Sequence, residues 1–121
     1  MNIYRLAFWL NDLVPAIEEV NGYLFLDRLQ RGVDGLKKEI EKYGSAKEAQ
    51  SWINIVPLSE FISEATGDEW ELSDPSLEEL LKIYKHAWVF QIASRYPGRS
   101  FKIEKWIEED SGDIGLRLIQ D

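Results

Sequence analysis

The chain has 121 residues, 45% of them hydrophobic, with five Trp, no Cys and a net charge of −8. That is enough apolar mass for one packed domain spanning 1–121, and too little for two. The composition excludes disulfides, thiolate metal sites and a Cys nucleophile, and 22 acids against 14 bases repel nucleic acid and anionic membranes.

The N-terminus lacks the basic-then-apolar layout of a signal peptide, and no apolar run approaches membrane-spanning length. A cytoplasmic protein of prokaryotic type is the expectation. Leu6, Leu10, Leu13, Ile17, Val20 and Leu24 step by four and three, as on an amphipathic helix. Tyr4, Leu6 and Phe8 alternate, which favours an extended or strand-like lead-in over residues 2–10. Pro15 fits the first turn of a segment capped by Asn11 or Asp12, so a helix to about Val20 follows. Asn21-Gly22 ends it, although the same pair is the strongest two-residue hairpin signal and keeps a hairpin over 17–26 open.

Leu26, Leu29, Val33, Leu36, Ile40 and Tyr43 continue a helical stripe. Gly32 and Gly35 each weaken it by about 1 kcal/mol, so a break near Gly32 is expected, with Asp34 recapping and Gly44 closing. Ser45 opens a short helix over 46–53. Pro57 interrupts, and 59–65 forms another turn or two around Phe61 and Ile62. Thr66-Gly67-Asp68-Glu69 is a loop.

The strongest helical signal comes next. Leu77, Leu80, Leu81, Tyr84, Trp88, Ile92 and Tyr96 share one stripe. Ser73 is the predicted N-cap, Pro75 fits the first turn, and Glu78 and Glu79 suit the positive end of the helix dipole. The competing reading is a strand over 88–93, which is β-rich. Pro97-Gly98 stops the helix. Phe101, Ile103 and Ile107 then oppose Lys102, Glu104, Trp106 and Glu108, and Ile114, Leu116 and Leu118 alternate beyond Asp110-Ser111-Gly112-Asp113. Period two on both sides of a turn predicts a hairpin. The fold class is therefore α+β: a mainly helical single domain of four to five helices with a C-terminal antiparallel β-hairpin, which a short N-terminal strand can join. Trp52, Trp70, Trp88 and Trp106 recur every 18 residues, but the intervening blocks do not align, and the spacing is read as chance.

Catalytic signatures are missing: no phosphate loop, no nucleophile elbow and no His-Glu-x-x-His. His86 is the only imidazole; paired with Glu78 or Glu79 it would make a general base, and the plainer reading is a His on a helix flank. Asp110-Ser111-Gly112-Asp113 lacks the spacing of a Ca2+ loop and has the composition of a turn. No cofactor, no metal site and no enzymatic activity are expected.

The acids are more informative. Asp68, Glu69, Glu71, Asp74, Glu78 and Glu79 include no base, and Glu104, Glu108, Glu109, Asp110 and Asp113 surround only Lys105; together they are 11 of the 22 acids. A helix of about 20 residues spans about 30 Å, as does a strand of eight or nine. A hairpin folded back along the helix would bring both acidic stretches to one end, with Arg95, Arg99 and Lys102 at the other. Aromatic anchors ringed by carboxylates suit a basic protein partner. The predicted binding set is Asp68, Glu69, Trp70, Glu71, Asp74, Trp106, Glu108, Glu109, Asp110 and Asp113. The plainer alternative is Trp in the core and acids serving helix dipole and turn.

Tyr96-Pro97-Gly98-Arg99-Ser100-Phe101-Lys102-Ile103-Glu104, closing with Gly112-Asp113-Ile114-Gly115-Leu116, resembles a pattern in small acidic bacterial proteins of the toxin-immunity type. It covers about a fifth of the chain. The resemblance implies a stoichiometric inhibitor of a basic toxin domain, nucleases among the candidates, with no catalysis of its own. The competing expectation is a non-enzymatic regulatory or adaptor module, homodimeric through an apolar face.

Overall fold

The computed structural model describes residues 1–121. In chain order the elements are α1 (Ile3–Leu10), a 3-10 turn (Asn11–Leu13), β1 (Ile17–Val20), β2 (Tyr23–Leu26), α2 (Gly32–Ile40), α3 (Ala46–Ile53), β3 (Ile55–Pro57), α4 (Ser59–Thr66), α5 (Pro75–Arg95), β4 (Lys102–Ile107) and β5 (Ile114–Ile119). The architecture is α+β, with a β1-β2 hairpin and a three-stranded antiparallel sheet in the order β3-β5-β4.

The N-terminal third departs from the sequence reading. Residues 3–10 are helical, not extended: Asn2 caps the helix by accepting from Arg5 N–H at 2.9 Å, and burial of Trp9 outweighs the alternation of Tyr4, Leu6 and Phe8, all three exposed. The expected helix to Val20 is instead β1 of a hairpin. Asn21 and Gly22 both have positive φ, 54° and 84°, as a two-residue primed turn requires. Helical spacing misled because the hairpin is covered on both faces: Ile17, Leu24 and Leu26 enter the main core, while Val20 and Phe25 enter a smaller one with Leu36, Ile40 and Ala49. A strand buried on both faces loses its alternation.

Three predicted boundaries also shift. The start of α2 is satisfied by Asp27, whose carboxylate accepts from Arg31 and Gly32 N–H at 2.9 and 2.8 Å, and not by Asp34, which lies in the first turn. That helix ends at Ile40, short of Gly44. The cap of α5 is Asp74, accepting from Ser76 N–H, rather than Ser73. Ser45 does cap α3, accepting from Glu48 N–H. The strand β3 had no sequence signal beyond Pro57; it lies at the sheet edge, where Pro is tolerated.

The 21-residue α5 is the axis of the molecule, and residues 88–93 belong to it and not to a strand. Leu77, Leu81, Tyr84, Trp88 and Ile92 are buried along it. On the same side it holds the N-terminal backbone by a ladder of side-chain donors. Tyr84 Oη donates to Trp9 O at 3.4 Å, Trp88 Nε1 to Asp12 O at 2.7 Å, Gln91 Nε2 to Leu13 O at 2.9 Å and Tyr96 Oη to Ile17 O at 3.1 Å. Beneath this seam Asp12 is buried, and Arg28 forks onto its two oxygens at 2.9 Å each.

Two amides join the hairpin to the sheet. Asn54 accepts from Leu26 N–H and donates to Leu24 O and Leu118 O. Gln50 donates to Leu24 O and to Gln120 Oε1, and accepts from Gln120 N–H. Both are fully buried and fully partnered, so they specify how the two sheets meet.

Candidate functional site

The register of β4 against β5 decides where the acidic hairpin points. Ile103, Lys105 and Ile107 share the inner face with Ile114, Leu116 and Leu118, while Glu104 and Trp106 share the outer face with Gly115 and Arg117. From the inner face Lys105 Nζ reaches Glu78 in the first turn of α5 and pairs with it. The hairpin therefore runs back along α5, with its far end beside the helix N-terminus.

The tip is fixed to α4 as well. Ser59 Oγ accepts from Ile114 N–H at 2.9 Å, and Leu58 N–H donates to Ile114 O at 2.8 Å. From there α4 runs eight residues, about 12 Å, to the loop holding Asp68, Glu69, Glu71 and Asp74. That loop is turned back on α4 by Trp70, whose Nε1 donates to Ser63 Oγ at 2.9 Å while its ring packs on the core. The two acidic stretches thus open from one end of the molecule.

Ion pairing engages only part of the acids; Glu18, Asp34, Glu41 and Glu48 are also unpaired, but singly, whereas the acids of this end fall in two runs. Asp12, Glu19, Glu39, Glu60, Glu64, Glu79 and Glu104 each have a Lys or Arg partner. Asp68, Glu69, Glu71, Glu108, Glu109 and Asp110 are exposed and appear in no ion pair. No Lys or Arg occurs between Lys47 and Lys82. Lys105 is the one base inserted into this end. Asp74 has a structural use as the α5 cap. Asp113 is half-buried, with Oδ1 enclosed and without a hydrogen-bond partner.

Trp106 does not belong with Trp70. Its ring stands on the outer face of the sheet across from Gly115, opposite the face that carries Lys105 and α5. The Trp spacing has no structural counterpart either: Trp52 is exposed, Trp88 fully buried, and Trp70 and Trp106 in between. Of the ten predicted residues, Trp106 lies on the outer face of the sheet, while the stretches 68–74 and 108–113 flank the Lys105–Glu78 pair and the Ser59–Ile114 bond from either side in sequence.

Flanking this end, Arg5 bonds Glu64 and Glu60, and Trp9 Nε1 bonds Glu64 at 2.9 Å. The hydrogen bond from Arg5, with that from Trp9, holds the Glu64 carboxyl below its ordinary pKa. His86 is exposed on α5, two turns from Glu78 and Glu79, with no side chain bonded to it. No three acidic or imidazole groups converge closely enough to hold a metal ion. No helix is long and apolar enough to cross a membrane.

No protein-family model matches the chain, and neither a curated protein nor a solved structure matches it significantly.

Proposed function

We propose that the chain is a non-catalytic inhibitor of the toxin-immunity type, which occludes a basic protein partner with its acidic end. The reading is supported by the Lys105–Glu78 pair, which ties the β4-β5 hairpin to the first turn of α5, together with the exposed, unpaired carboxylates of 68–71 and 108–110 in the adjoining loops. Carboxylates without internal partners keep their full field for a cation, which speeds encounter and favours Lys- and Arg-rich surfaces. Trp70 supplies a half-buried aromatic floor next to them. A nuclease is a natural target, because its substrate groove is already basic.

The test is binding to the protein encoded beside this chain, followed by calorimetry from about 50 to 300 mM salt. One-to-one binding that weakens steeply with salt and disappears with Glu69→Lys and Asp110→Lys supports the reading. Failure to capture a neighbour-encoded protein, or binding indifferent to both substitutions, would overturn it. The alternative of a regulatory or adaptor module has separate support in the apolar surface of α1.

A further inference from the structure

Buried Trp9 is α1's main anchor in the core; Arg5 is turned toward α4, where it bonds Glu60 and Glu64. Ile3, Leu6 and Leu10 step by three and four along the side of α1 away from α4, and Val14 follows the 3-10 turn at the same spacing. On α5, Ile83, Ala87 and Phe90 form the flank next to Tyr84, Trp88 and Gln91, the residues that grip the backbone of α1 and its turn. The two stripes therefore border one seam. Their exposure is unusual for such side chains: 85% at Ile3, 66% at Val14, 57% at Ile83 and 74% at Phe90, with Leu6 and Leu10 near 40%.

We propose that a second copy of this chain docks here, α1 and the flank of α5 packing on the same pair in the partner around a two-fold axis. Area is the first argument. The six side chains Ile3, Leu6, Leu10, Val14, Ile83 and Phe90 expose roughly 700 Å2, above the largest patch of an ordinary monomer and close to the ~800 Å2 that each partner gives a standard interface. Charge is the second. Each copy carries −8, so two copies approach at least cost through a face without acids. None of the six is charged, α1 contains no acid, and Glu79 at the border is paired with Lys82. A lipid surface fits less well, since an interfacial helix needs a fringe of Lys and Arg, and the one cation of α1 is engaged by Glu64.

Salt separates this contact from the acidic end. Screening relieves repulsion between two acidic copies, so self-association strengthens with salt, whereas capture of a basic partner weakens. Sedimentation velocity of the full chain from about 1 to 100 µM should show a monomer–dimer equilibrium in the micromolar range. Phe90→Glu and Ile83→Glu, both at exposed positions, should weaken it about 100-fold while leaving the circular dichroism spectrum and Tm unchanged. Trp52→Glu, an exposed apolar site elsewhere, should leave it intact. A chain that stays monomeric at 100 µM in high salt overturns the proposal. So does a dimer indifferent to Phe90→Glu and Ile83→Glu, or a monomer that floats with neutral phosphatidylcholine vesicles.

Discussion

The side-chain amide of Asn54 donates to the main-chain carbonyl of Leu24 at 2.8 Å, joining two sheets that share no strand. The same amide serves Leu26 N–H and Leu118 O, and water reaches none of these groups. Asn54→Ala leaves buried polar groups unpaired and should cost about 2–4 kcal/mol in urea unfolding. Asn54→Asp should cost more, because a carboxylate would face two carbonyl oxygens. A loss under 1 kcal/mol for both would show that the clasp is dispensable.

Gly115 carries a second structural expectation. A Cβ there would collide with the Val56 carbonyl oxygen and crowd Pro57, both backbone atoms of the neighbouring strand that cannot swing aside. Gly115→Ala should destabilise by about 2–4 kcal/mol and loosen β3, read as faster amide exchange at Leu58. Gly22→Ala, with open space around it but φ of 84°, should cost about 1 kcal/mol through backbone strain alone.

Alkaline pH should weaken the fold through Tyr84. Burial, reinforced by the negative charge of Asp12, pushes its phenol up to about 12 from 10. A raised folded pKa means the native state holds the proton more tightly, so stability is intact below pH 10 and falls as pH rises through 12. Tyr84→Phe removes this dependence and the bond to Trp9 O; its Tm profile should be flatter between pH 9.5 and about 12.

At the acid side the sign is opposite. Glu64, held low chiefly by the hydrogen bond from Arg5, and Glu39, held low chiefly by that from Lys42, release stability as pH falls below 4.5 through their folded values. Glu64→Gln should flatten the Tm profile in that window without changing the midpoint near neutrality much. An unchanged slope would remove Glu64 from the acid transition.

Glu69→Lys and Asp110→Lys reverse charge where like charges crowd. Neither side chain caps a helix or pairs with a base, so stability should stay within about 0.5 kcal/mol or rise slightly. Loss of stability beyond 1 kcal/mol would give these carboxylates a structural duty.

The legible parts of the fold were those where one face is wet. The stripe from Leu77 to Tyr96 and the alternation of Phe101 to Leu118 each have a solvent side, so periodicity survives in the residues. In β2, Leu24, Phe25 and Leu26 are buried in succession and no alternation shows, so only Asn21-Gly22 betrayed the hairpin. Asp27 was invisible as a cap because it reaches across Arg28, Leu29 and Gln30 to a helix start that Gln30, with φ of 52°, makes abrupt. For the acidic end, chain lengths alone predicted that the hairpin folds back to the start of α5, where Lys105 pairs with Glu78. The outward turn of Trp106 was legible as well, since the alternation sets it opposite Ile103 and Ile107; grouping it with Trp70 went against that pattern.

The ladder between α5 and the N-terminal backbone has a consequence for synthesis. Trp9, Asp12, Leu13 and Ile17 wait for donors 75 to 79 residues downstream, so α1 and its turn are fully seated only once α5 has been made. Until Tyr96 has emerged, α1 and its turn rest only on Arg28 and on α4, which makes their exposed apolar side chains the natural grip for a holding chaperone.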